Sequence, residues 1–74
     1  MQIERLISMA NQIGDFFESY PNPEQAKEGI AQHIKRFWAK NMREQIIAYV
    51  KQQQGHGLHL MVGEAIREHE AYLQ

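Results

Sequence analysis

The chain has 74 residues, a formal net charge of −1 and no cysteine. Without cysteine it has no disulfide framework, thiolate zinc site, cysteine nucleophile or ordinary iron–sulfur ligand set. Near-neutrality gives no global pull toward nucleic acid or an anionic membrane. A domain this short buries only about 60% of the surface its unfolded chain exposes, so association is the expected source of added stability.

A first helix is predicted over about residues 2–19, because Ile3, Leu6, Ile7, Ala10, Ile13, Gly14 and Phe17 follow the three-and-four spacing of one face. Met9, Ile13, Phe16 and Tyr20 form a second stripe beside it, which widens the apolar arc to about half the cylinder. One neighbouring helix would not cover that arc. Glu4, Asn11, Gln12 and Asp15 interrupt what would have to be a signal core, and no run approaches a membrane span. The expected compartment is cytoplasmic.

The stretch "YPNPEQ" ends this helix and starts the next, with Asn22 as cap, Pro23 at the first helical position and Gln25 as half of a capping box. The second helix is predicted over about 23–38, burying Ala26, Ile30, Ile34 and Phe37, with Gly29 allowing a close approach. A third, over about 40–54, restarts the stripe at Met42, Ile46, Tyr49 and Val50. "WAKN" contains no strong breaker, so the second and third could equally be one bent rod. "QQQGHG" is a stop, with Gly55 or Gly57 supplying the left-handed cap. A last helix over about 58–73 places Leu58, Val62, Ala65, Ile66, His69, Tyr72 and Leu73 on one face. The expected fold is all-α, one domain over residues 1–74, a small bundle of three to four helices.

The segment "GIAQHIKRFWAKNMR" (Gly29–Arg43) concentrates base and aromatic character with no acid. His33, Arg36, Lys40 and Arg43 share one face if helix continues through residue 39, with Phe37 and Trp38 to either side. Two readings stay open: a site for an anion or acidic partner, since arginine forks onto carboxylates and phosphates, or a solvated basic face above an aromatic core. His56 and His59, with Glu64, Glu68 and His69 nearby, lack metal-ligand spacing, and His69 falls on the apolar face, so no metal site is expected. Asp15 or Glu18 with a histidine, and Ser8 or Ser19, form no spaced catalytic motif, and no glycine-rich phosphate loop is present. An independent enzyme is not expected. Met9, Phe16, Trp38, Ile47, Leu60 and Met61 exceed what one small core should hide, and such surplus marks interfaces. The alternative is a four-helix core that uses all of them.

"MANQIGDFF" (Met9–Phe17), "GIAQHIKRFWAKNMR" and "GHGL" (Gly55–Leu58) before a short last helix together resemble the delta subunit of soluble NAD-dependent formate dehydrogenases, the molybdenum or tungsten enzymes. The resemblance spans about residues 3–67, and "ANQI..FF" with "I..HI.RFW...MR" at this separation is not a generic helix pattern. The sequence departs from the family pattern in two places. Ala39–Lys40 stands where an acidic residue and proline often follow the tryptophan, and Leu60 where a proline often opens the last helix. Both changes weaken the breaks between helices.

The resemblance implies a noncatalytic accessory subunit without a cofactor of its own. In that family larger subunits carry the molybdopterin cofactor, iron–sulfur clusters, FMN and the NAD site, and the delta subunit is implicated in maturation of the catalytic subunit. The expected partner is the large catalytic subunit, met through Met9, Ile13, Phe16, Phe17, His33, Arg36, Phe37, Trp38, Lys40 and Arg43. Neither nucleic acid nor membrane is expected as a partner. The alternatives are a free-standing homodimeric helical protein, which the isolated chain could also form, and a small anion-binding module.

Overall fold

The computed structural model describes residues 2–74. They form five helices: α1 (Ile3–Phe17), α2 (Pro23–Phe37), α3 (Lys40–Gln53), α4 (Leu60–Glu68) and α5 (Glu70–Leu73). The fold is all-helical, as the apolar periodicity predicts. Leu6 of α1, Ile30 and Ile34 of α2, Ile46 of α3, Val62 and Ile66 of α4 and Leu73 of α5 are fully buried in one core to which every helix contributes.

The start of α2 follows local chemistry. Asn22 Oδ1 accepts from the amides of Glu24 (2.8 Å) and Gln25 (3.3 Å), and Pro23 occupies the first turn, where a missing N–H costs nothing. The start of α3 does not. Trp38 (φ −93°, ψ 139°) and Ala39 (φ −64°, ψ 156°) are both extended, so the second and third helices are separate. Tertiary contacts make this break. Trp38 is only 5% exposed, and its carbonyl, released from helical bonding, accepts from Arg43 Nη1 at 2.8 Å. Arg43 Nε donates to the Leu73 carbonyl at 2.9 Å, tying the α2–α3 corner to the C-terminal turn.

Three further expectations are corrected. Trp38 and Ile47 are core residues, because the turn after α2 swings the indole inward and α5 closes over the bundle's end. The last helix begins at Leu60 rather than about 58 and is interrupted at His69 (φ −112°, ψ 24°), which lets the short α5 bury Leu73. Phe37, expected in the core, is 65% exposed, because the α2 stripe leaves the bundle one residue before Trp38 enters it.

Between α3 and α4 the left-handed turn falls first on Gln54 (φ 56°), with Gly55 (φ 74°) and Gly57 (φ 85°) following. Asn11 holds this loop against α1. Its Nδ2 donates to the Gly57 carbonyl at 3.0 Å and its Oδ1 accepts from the His59 amide at 2.7 Å. Tyr49 donates its hydroxyl to the His56 carbonyl on the same loop. Gly14 brings α1 against α4, since a Cβ there would lie 2.5 Å from Val62 Cγ2.

Candidate docking surface

The antiparallel pair α1–α2 positions the site. Phe17 lies against Gly29, where any side chain would collide with its ring, so the glycine sets how closely the two helices approach. Their outward edges leave a groove of about 490 Å³ lined by Met9, Ile13, Phe16 and Phe17 of α1 and by His33 and Trp38. Six of the ten residues singled out in the sequence therefore meet in one concave, mainly apolar surface. Phe16 is 67% exposed and stands edge-on to Phe17 at 5.0 Å between centroids. An exposed aromatic within a contiguous apolar patch is the kind of surface that marks an interface.

Beside this groove runs a second, shallower one, sharing Phe17 and His33 and adding Arg36 and Phe37. The His33 ring lies 4.8 Å from that of Phe37, and the Arg36 guanidinium lies 5.6 Å above the same ring. These stacks order the two polar side chains on the groove's rim.

Lys40 and Arg43 do not join them. The break at Trp38–Ala39 removes the continuous face that would have aligned His33, Arg36, Lys40 and Arg43. Lys40 lines a different depression with Ile47 and Gln74, and Arg43 is occupied with the Trp38 and Leu73 carbonyls. A three-cation anion site built from Arg36, Lys40 and Arg43 thus lacks its geometry. Gln12, which the sequence reading passed over, lines the groove between Met9 and Phe16. Its position three residues after Met9 and four before Phe16 was the available signal.

The opposite flank of α1 is polar. His59 Nε2 lies 2.9 Å from Glu18 Oε2, while its Nδ1 accepts from the Met61 amide at 3.3 Å and caps α4. The cap fixes the neutral tautomer: with Nδ1 as acceptor, the proton sits on Nε2 and points at Glu18. Asp15, Glu18 and His59 bring ligand-type atoms within 4.8 Å of one another, a grouping the sequence suggested only as Asp15 or Glu18 with an unnamed histidine for catalysis and not as a metal set. Coordination through Nε2 would require the proton to move to Nδ1 and break the cap. The cluster reads as a pin joining α4 to the end of α1.

The fold and the aromatic–basic geometry can be set against known families. The family model described as the NADH-dependent formate dehydrogenase delta subunit, FdsD, matches residues 5–66. The chain belongs to this family. The match takes in α1, α2, α3 and most of α4, and so the whole of the groove. Neither curated proteins nor solved structures offer a match to the chain. Membership in the delta-subunit family agrees with the resemblance carried by "MANQIGDFF" and "GIAQHIKRFWAKNMR". No described helix is long and apolar enough to cross a membrane.

Proposed function

We propose that this chain is a noncatalytic accessory subunit of an NAD-dependent formate dehydrogenase, which docks through the α1–α2 groove on the large catalytic subunit and supports its maturation or stability. The observation that carries the reading is the groove itself. In a member of a subunit family, two phenylalanines more than 60% exposed flank a concave apolar surface, the anatomy of an anchor-and-pocket interface. On this reading formate oxidation and NAD reduction belong to other subunits, this chain holds no cofactor, and the complex is cytoplasmic.

The test is a tagged pull-down from the native host grown on formate, comparing the wild-type chain with Phe16→Asp, with mass spectrometry and formate-dependent NAD reduction on the eluate. The reading expects the catalytic subunit with the wild type and its loss with the variant. Recovery with activity marks a lasting component, and recovery of an inactive catalytic subunit marks a maturation step. Equal recovery by both chains places docking elsewhere, and absence of the catalytic subunit from both removes the reading.

A further inference from the structure

The groove between α1 and α2 is free of acids, and the one carboxylate on the adjoining groove, Glu28, accepts a hydrogen bond from Gln32 at 3.4 Å. At about 100° per residue, Arg5 falls within about 30° of the Met9–Phe16 line, whereas Glu4, Asp15 and Glu18 all point more than about 100° away. The ion pairs among the described residues fall on Lys27 and Lys51, and Glu18 is engaged by the His59 imidazole. Arg5 and Arg36, both exposed, are therefore cations without a carboxylate, one beyond the Met9 end of the groove and the other beside its His33 edge. From Met9 to Phe17 the groove follows α1 for about 12 Å, at about 1.5 Å per residue. That length accommodates the apolar ridge of about two helical turns, residues at i, i+3 or i+4, and i+7.

We infer that the groove receives an amphipathic helix of the partner protein, whose apolar ridge is flanked by carboxylates that meet Arg5 and Arg36. The inference rests on the docking reading above and specifies what the partner presents. A second copy of this chain fits poorly. Two-fold symmetry sets the same patch against itself, so its arginines could be met only by acids of that patch, and the groove's lining offers none. Asp15 and Glu18 cannot serve instead, because they lie on the flank turned toward His59 rather than beside an apolar ridge.

The experiment uses the full chain and two synthetic helical peptides with identical leucine ridges, one flanked by glutamates and the other by lysines, both lacking tryptophan. Trp38 is the sole tryptophan of the chain and lines the groove, so its fluorescence reports occupancy. The glutamate peptide should bind at least about ten-fold more tightly than the lysine peptide. That preference should shrink as salt rises from about 0.1 M to about 1 M, where the Debye length falls from about 10 Å to about 3 Å. Combining Arg5→Glu with Arg36→Glu, both at exposed positions, should invert the preference.

Equal binding of the two peptides, binding of neither, or a chain that sediments as a dimer and occludes the groove would each overturn the inference. The pull-down distinguishes this from failure of the docking reading. If the catalytic subunit is recovered through Phe16 while the peptides show no charge preference, docking stands and the acidic helix falls. If the glutamate peptide binds while no catalytic subunit is recovered, the groove's chemistry stands and the proposed complex falls.

Discussion

The two flanks of α1 carry opposite kinds of surface. On the side facing α4, polar side chains are spent on internal contacts: Asn11 clasps the loop before α4, Glu18 meets His59, and Lys27 of the neighbouring α2 reaches Glu24 at 3.1 Å and Glu68 at 2.9 Å. On the side facing α2's outer edge, Met9, Ile13 and Phe16 stand in a groove whose cations have no partner. The difference separates folding from binding. Contacts that specify the chain's own structure are consumed within it, and the remaining apolar and cationic groups are available to another molecule. Substitutions on the first flank should therefore lower stability, and those on the second should spare it.

The largest effect is expected at the corner where the two regions join. Arg43→Ala leaves the Trp38 and Leu73 carbonyls, both in part-buried hydrogen bonds, without their charged donor. A loss of about 2–4 kcal/mol is expected, since hydrogen bonds to a charged group contribute about 1.5–3 kcal/mol each and water recovers part of that. At about 4–8 °C per kcal/mol in a domain of this size, thermal unfolding should fall by more than about 8 °C. A stable Arg43→Ala protein would return this arginine to the docking face. Gly14→Ala should follow at about 1–3 kcal/mol, because the added methyl meets the fully buried Val62 and α1 must move from α4. Chemical denaturation measures both. On the other flank, Phe16→Ser should change stability by no more than about 0.5 kcal/mol, as an exposed side chain does when removed, while abolishing recovery of the catalytic subunit. A large loss of stability there would mean that the ring belongs to the fold and that the comparison is drawn in the wrong place.

Which parts of this were legible in the sequence follows from where the determining forces lie. The cap at Asn22–Pro23 and the stripes of α1 and α2 are local, written in residue types three and four apart; they put Met9, Ile13, Phe16 and Phe17 on one arc of α1, while His33, expected beside Arg36, Lys40 and Arg43, joins them only in the folded chain. The break after Phe37 was legible only as one of two readings, from the stripe that restarts at Met42, because "WAKN" has no proline or glycine and the chain turns there only when Trp38 has a core to enter and Arg43 has carbonyls to hold. For the same reason Lys40 and Arg43, aligned with Arg36 on paper, diverge from it in space. The interruption at His69 likewise depends on Leu73 finding the core. Propensity outlines a helix, and packing decides where it ends.

The smallest effect sharpens the comparison from the pH axis. Lys27 is 7% exposed, and its ammonium is surrounded by Glu24, Glu68 and, at 4.0 Å, Glu64. The hydrogen bonds it donates to Glu68 and then to Glu24 raise its pKa above the ordinary 10.5, against the opposing pull of burial. A cation whose folded pKa is raised contributes stability that is fully present below its unfolded pKa and is lost as pH climbs through the folded value. The wild-type protein should therefore hold its melting temperature through neutral pH and lose part of it above the ordinary lysine range. Lys27→Met should remove that alkaline component while leaving the groove untouched. Melting curves of the two proteins across the alkaline range provide the measurement. Parallel decline in both would assign the alkaline loss to groups other than Lys27, whereas a flattened curve in the variant would place the charge that secures α2 to α4 on the closed flank, away from the cations left for a partner.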